Sequence, residues 1–299
     1  MTRVEQLQRV VQALRARGHQ VELIPTTAAG SATRQAREIA RTQPDILFAC
    51  GGDGTLHEVL QGLVSEDGAT TATLGILPFG SANALARHLR LSLDPLEAAL
   101  QQIDGAPHAV PVGKLTSPGN TRYFTVMTGA GPDGALAYNL LVAQKSSFGR
   151  LAYYLHAARL FVTHRFPVFQ VEFTEAGTDL SHSHPAVAAM ALRVDDLGGI
   201  FSCLTTRHAG VHQPHLQLLL VRPPALFSLP LWFASGWLNL HHLNPFLRIA
   251  DVTSFACLPL GDPAPHLQVD GESLGRIPMR ASLVPKGLHL RLPIASKSP

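Results

Sequence analysis

The feature that most constrains this chain is the run Cys50-Gly51-Gly52-Asp53-Gly54-Thr55-Leu56-His57-Glu58. The apolar stretch Asp45-Ile46-Leu47-Phe48-Ala49 before it reads as a buried strand. Leu56, Val59, Leu60 and Leu63 after it have the spacing of an amphipathic helix. A glycine-rich turn therefore joins a strand end to a helix start. Such a turn aims backbone N–H groups and the positive end of the helix dipole at one point, which suits a phosphate. Glycines let the backbone approach an anion with no Cβ in the way. An aspartate there would repel bare phosphate. It makes sense when a divalent cation sits between carboxylate and phosphate, directly or through water. The run is neither a P-loop, whose lysine is missing, nor a G-x-G-x-x-G fingerprint. The plainer alternative is a tight turn with Asp53 as a cap.

The chain is long enough, at 299 residues, for one large domain or two ordinary ones. Up to about residue 105 strands alternate with helices. The spacing predicts a helix over 3–17 stopped by Gly18, a strand over 21–24, a helix over 33–42 and strands at 45–49 and 74–77. A helix over 82–90 follows, then one opened by Asp94 as N-cap with Pro95 at its first position. This alternation implies a mostly parallel α/β sheet. From 106 onward the pattern is β-rich, with strands expected at 122–127, 168–173, 186–193, 216–221 and 288–292 and helices at 134–145 and 149–163.

A net charge of +3 is too small to argue for nucleic acid and is compatible with work near anionic lipid. Cys50, Cys203 and Cys257 are odd in number and far apart, which fits a reducing compartment and no disulfide framework. Met1 to Gln6 lacks a signal-peptide core, and Arg222, Pro223, Pro224 and Pro230 break the longest apolar region, so no spanning helix is expected. Residues 225–240 read first as a core helix, with a greasy surface near a bilayer as the alternative. The histidines, among them His182, His184, His212, His215, His241 and His242, lack a metal-binding framework.

Gly51 to Val59 resembles the signature of the diacylglycerol kinase catalytic-domain family, which includes sphingosine and ceramide kinases. Pro78-Phe79-Gly80-Ser81-Ala82-Asn83-Ala84-Leu85-Ala86-Arg87 is similar to its P-x-G-T-x-N-x-x-A-R segment. Gly129 to Gly134 and Val269-Asp270-Gly271-Glu272 resemble its G-x-G-F-D-A and D-G-E motifs. The turn also resembles that of NAD kinases and phosphofructokinases, but the asparagine and D-G-E motifs favour the lipid kinases. The resemblance implies an α/β nucleotide-binding domain over 1–105 and a β-sandwich lipid-substrate domain over 106–299, with the active site in the cleft between. It implies an ATP- and Mg²⁺-dependent lipid kinase, cytoplasmic and peripherally membrane-associated, with diacylglycerol as default acceptor and a sphingoid base as another. A homodimer is compatible with it.

Phosphoryl transfer needs a phosphate cradle, a cation and a base near the acceptor hydroxyl. Gly51, Gly52, Gly54, Thr55, Leu56 and His57 supply the cradle, and Asp53 holds Mg²⁺ through water. Thr26, Ser81 in place of the usual threonine, and Asn83 fall at nucleotide-contacting positions, with Asn83 equally suited to stabilise its turn. Glu58 is either a ligand or a helix-dipole partner, and Arg87 faces phosphate or solvent. Asp133 belongs by resemblance to the acidic network around cation and substrate, or caps a helix. Glu272 is the expected proton acceptor, with Asp270 second, unless the pair is a plain D-G hairpin turn.

Three departures matter. Relatives open with a strand ending in N-P-x-S-G, whereas this chain begins almost inside the helix that follows it. Either a segment lies upstream, or the first strand is lost and a sheet edge exposed. Ala84 stands where many bacterial relatives carry an aspartate. Gln213 and Gln217 stand where they carry the two aspartates of a structural Mg²⁺ site, so that site is expected to be absent or weak. Two other readings follow: a catalytically silent nucleotide- or lipid-binding protein of the same fold, and a kinase with a soluble acceptor such as NAD.

Overall fold

The computed structural model describes residues 2–65, 70, 72–132, 134–135, 166–178, 180–198, 204–206 and 208–293. In chain order the elements are α1 (Arg3–Ala16), α2 (Ser31–Arg41), β1 (Leu47–Gly51), α3 (Asp53–Leu63), β2 (Thr73–Pro78), α4 (Ala84–His88), α5 (Pro95–Ile103), β3 (Ala106–Ser117), β4 (Asn120–Phe124) and β5 (Met127–Ala130). They continue with β6 (Phe169–Glu175), β7 (Ser181–Ala186), β8 (Ala188–Leu192), β9 (Leu216–Val221), α6 (Ala225–Trp237), a 3₁₀ turn (His241–Leu243), β10 (Leu247–Pro259), β11 (His266–Val269), β12 (Glu272–Arg276) and β13 (Met279–Leu292). The chain divides into two compact units, 1–112 with 196–199 and 284–299, and 113–195 with 200–283.

The first unit is α/β. Thr2 and Glu5 form a reciprocal capping box at α1, and Val10 and Leu14 on one face of α1 pack with Leu77 and Ala99. Asp94 caps α5 as the sequence predicts, accepting from the N–H groups of Leu96 and Glu97 at 2.9 and 3.0 Å. β1 and β2 run parallel with Gly51 opposite Pro78, and β2 runs parallel to the end of β13 at Leu74 and Leu290. Beyond Leu74 a side chain takes over the ladder. Gln102 on α5 is fully buried; its Oε1 accepts from Ile76 N at 2.8 Å and its Nε2 donates to Ile76 O at 2.7 Å. Gln102→Leu leaves both backbone groups buried and unpaired, so unfolding in urea should show a loss of about 3 kcal/mol.

The predicted strand at 21–24 does not form; Val21 to Ile24 has no ladder, and Glu22, Leu23 and Ile24 are exposed. Among the described residues β1 pairs only β2, so nothing hydrogen-bonds its other edge as a strand. The predicted helix at 82–90 is also shorter, because Asn83 takes a left-handed conformation (φ 50°) and α4 starts after it.

The second unit is built on antiparallel strands. One sheet follows β12-β11-β5-β8-β9-β10. At a bulge between Val252 and Ser254, β10 changes partners and continues between β6 and β13. β6 shows the alternation of a half-buried strand, with Phe169, Val171 and Phe173 inward. They share a core with Leu216, Leu218 and Leu220 of β9 and with Phe255 of β10. The strand expected at 122–127 is split into β4 and β5, for a reason given below. The helices expected at 134–145 and 149–163 lie outside the described residues apart from Gly134 and Ala135. No described helix is long and apolar enough to cross a membrane.

Candidate functional site

The glycine turn lies at the carboxyl ends of two neighbouring parallel strands, where open α/β sheets bind ligands. Gly52 joins β1 to α3, and Gly80 lies just past β2. The two turns meet backbone to backbone: a Cβ on Gly80 would lie 2.4 Å from Gly52 Cα and 2.6 Å from Asn83 Oδ1. Phe79 N also donates to Gly51 O at 3.0 Å. Only glycine permits this approach. α3 begins at Asp53, inside the motif, and its N-cap, Gly52, has no side chain with which to cap the first N–H groups. Its dipole therefore faces the turn.

Asp53 sits in the first turn of α3, and its Oδ1 accepts from Ala84 N, the first residue of α4, at 2.8 Å. The same carboxylate that could meet a cation thus ties the two motifs together. Asn83 Oδ1 accepts from Gly80 N at 3.0 Å and its Nδ2 donates to Gly80 O at 2.9 Å, so its amide holds the turn. Arg87 Nε donates to Ala82 O at 2.8 Å, closing the same loop. Ser81 is exposed at its tip, whereas Leu56 and His57 are buried at 5% and 3%.

Thr26, Thr27, Ala28, Ala32, Thr55 and Glu58 line a cleft of about 360 Å³. The structure so brings Thr26 and Thr55 together although the strand before Thr26 is absent. Glu58 Oε2 accepts from Ala32 N at 3.2 Å, and Thr33 Oγ1 donates to Glu58 O at 2.8 Å. Glu58 is therefore a dipole partner, but of α2 rather than of its own helix.

In the second unit, Asp270 and Gly271 are the two central residues of the β11–β12 hairpin, with φ of 46° and 85°. That is the D-G turn the sequence allows. Asp270 does more. Its Oδ1 accepts from Val126 N and Met127 N, both at 2.9 Å, and its Oδ2 from Thr125 N at 3.1 Å. Three consecutive N–H groups turned onto one carboxylate cannot join a ladder, which is why the strand at 122–127 breaks there. Arg193 is the residue that sequence reasoning missed. It is 1% exposed, and its guanidinium donates to Val211 O. Burial pushes Arg193 down to about 10, with the attraction of Asp270 opposing the shift. A lone arginine after the apolar run Ala186–Leu192 was the available signal. Glu272 opens β12 in an exposed position, opposite Val269. Asp133 lies outside the described residues.

The donor set fits a hard cation at Asp53, whose carboxylate complements phosphate oxygens and water. It does not fit one at the expected structural position. Gln213 and Gln217 offer neutral amides, and His215 Nε2 lies 3.5 Å from Asp251 Oδ2.

His182 and His184 stack at 6.1 Å between ring centroids, Phe173 lies beneath both, and Arg248 lies 5.2 Å above the Phe173 ring. Desolvation, then the charges of Arg248, Arg222 and His182, hold His184 below its ordinary 6.5. A folded-state pKa below the unfolded one means that the unfolded chain takes up the proton first as pH falls. Stability should therefore decline as pH drops below about 6.5, and His184→Asn should flatten that slope in thermal melts at pH 7.5 and 5.5.

Residues 2–115 match the family model described as the diacylglycerol kinase catalytic domain. Over 168 residues the chain is 34% identical to a diacylglycerol kinase of Bacillus subtilis (strain 168), covering 56% of this chain and 54% of that one. Over 138 residues it is 33% identical to a diacylglycerol kinase of Staphylococcus epidermidis, covering 46% and 42%. The chain spans about half the length of the curated relatives it matches. A crystal structure of a diacylglycerol kinase from Bacillus anthracis str. Sterne superposes with a TM-score of 0.73 at 23% identity, over 97% of this chain and 92% of that one. Residues 2–115 are thus similar to the diacylglycerol kinase catalytic domain, and the whole chain has the fold of that crystal structure.

Proposed function

We propose that this protein is an ATP- and Mg²⁺-dependent lipid kinase that transfers the γ-phosphate to a lipid hydroxyl met at a membrane surface. Diacylglycerol is the default acceptor and a sphingoid base the next. The observation that carries this reading is the pairing of two glycine turns, with Gly52 and Gly80 in backbone contact, beside a helix start that has glycine as its N-cap and bears Asp53. A bound Mg²⁺ would supply charge neutralisation of the phosphates. The first N–H groups of α3 orient the anion, Thr26 and Thr55 bound it on the cleft side, and Asp53 supplies the negative charge for the cation. Glu272, not Asp270, is assigned the proton of the acceptor hydroxyl, because hydrogen bonds to the backbone already occupy both oxygens of Asp270. The hydroxyl oxygen bonds to the γ-phosphorus, the bond to the β-phosphate oxygen breaks, and ADP leaves.

The test is transfer of labelled γ-phosphate from Mg-ATP to diacylglycerol, monoacylglycerol, sphingosine and ceramide in detergent micelles. A labelled lipid establishes the reading and names the acceptor. ATP binding without any labelled lipid would favour a silent binding protein, and labelled NAD a soluble acceptor.

A further inference from the structure

The sequence favours a core helix over 225–240, and the structure corrects that. At 3.6 residues per turn, Leu226, Phe227, Pro230, Leu231, Ala234, Trp237 and Leu238 fall within an arc of roughly 140° on α6 and its C-cap, and all of them are exposed. Leu226 is 77% exposed, Phe227 63%, Trp237 75% and Leu238 65%. The opposite face carries Ser228, Leu229, Trp232 and Ser235, which are buried. The usual amphipathic order is thus inverted, with serines inward and large apolar side chains outward.

The helix is fixed in that orientation. Ser235 Oγ donates to Trp232 O at 3.0 Å, and Asn244 Nδ2 donates to Ser235 Oγ at 3.0 Å. Asn244 Oδ1 in turn accepts from Phe246 N at 3.0 Å, which ties the end of α6 to the start of β10.

The surrounding charge is one-sided. Residues 197–250 contain no aspartate or glutamate, but three arginines and five histidines. Arg222 is exposed and lies three residues before α6. Its charge acts on His184, which lies 2.9 Å from Arg248 Nη1. The acids Glu175 and Asp251 are each beside a histidine, His182 at 3.2 Å and His215 at 3.5 Å.

We propose that α6 docks this protein on an anionic lipid bilayer, with Leu226, Phe227, Leu231, Trp237 and Leu238 entering the headgroup–acyl boundary and Arg222 and Arg248 meeting lipid phosphates. A bilayer surface offers both an apolar layer and negative charge at the depths this face needs. A second copy of the chain does not. Two-fold pairing through this face would offer Arg222 no carboxylate from residues 197–250 of the second copy. The inference deepens the reading above, since a lipid kinase must reach a bilayer. Docking needs neither nucleotide nor transfer, so the two can fail separately.

The test is sedimentation with vesicles of equimolar phosphatidylglycerol and phosphatidylcholine, beside phosphatidylcholine alone, at low salt and without ATP. Trp232 and Trp237 are the two tryptophans of the chain, and only Trp237 is exposed, so an emission blue shift reports its insertion. The wild type should bind the anionic vesicles about tenfold more tightly than the neutral ones and shift its emission. Phe227→Ser with Leu231→Ser should weaken binding about tenfold while far-UV circular dichroism stays unchanged, because both sites are exposed. Arg222→Glu should remove most of the anionic preference. Absence of wild-type binding, equal binding to both vesicles or full binding by the double variant would each overturn the proposal. So would a dimer in sedimentation equilibrium that the double variant dissociates.

Discussion

Asp53→Asn is expected to lower phosphate transfer about 10³-fold or more while leaving the fold in place. The asparagine keeps a carbonyl oxygen for Ala84 N, which Asp53 Oδ1 now meets at 2.8 Å, but removes the charge that a cation requires. Asp53→Ala removes both. It should lose the same activity and a further ~1 kcal/mol of stability, because α4 loses the acceptor at its first residue. In a chain of 299 residues that is a fall of about 1–2 °C in Tm. Rates in the micelle assay and thermal melts of the two variants separate the roles. If Asp53→Asn retains near-native transfer, the carboxylate is only a cap and the assignment of the cation to it fails.

Asp270→Ala should produce the largest loss of stability of any single substitution considered, about 3–5 kcal/mol. It strips acceptors from Thr125, Val126 and Met127 N–H groups and removes a negative charge that attracts the buried Arg193. Glu272→Gln should do the opposite. Glu272 is exposed, so urea midpoints should stay within about 0.5 kcal/mol of wild type, while transfer falls about 10²–10⁴-fold through loss of the base. Equal stability losses in the two variants would contradict the division between a positioning carboxylate and a catalytic one. Retained transfer in Glu272→Gln would return Asp270 to candidacy as the base.

The sequence identified Asp53, Asn83, Asp270 and Glu272 as a set, because each stands in a short motif with a fixed neighbour pattern. It could not say what each side chain touches. Sequence alone suits Asn83 equally to nucleotide and turn, and the hydrogen bonds to Gly80 favour the turn. Sequence alone suits Glu58 to ligand or dipole partner, and its bond to Ala32 N involves a residue 26 positions earlier, on α2. Arg193 went unmarked because a single arginine in an apolar neighbourhood has no motif; its meaning comes from Asp270 on another strand.

By itself the sequence determined the local elements with strong periodicity or strong punctuation: α1, the β1–turn–α3 unit, α5 behind Asp94-Pro95, and the apolar run of β9. These depend on interactions within a few residues, which sequence order records directly. Only the tertiary structure decided the fate of segments whose partners are distant. The stretch 21–24 has strand-like composition but pairs with no strand among the described residues, so it forms no ladder. The stretch 122–127 has strand-like composition but meets Asp270 in its middle, so it breaks. For α6, apolar content alone pointed inward, because composition measures hydrophobicity and not which face meets the protein. The packing of Ser228, Trp232 and Ser235 beneath it turned the greasier side outward.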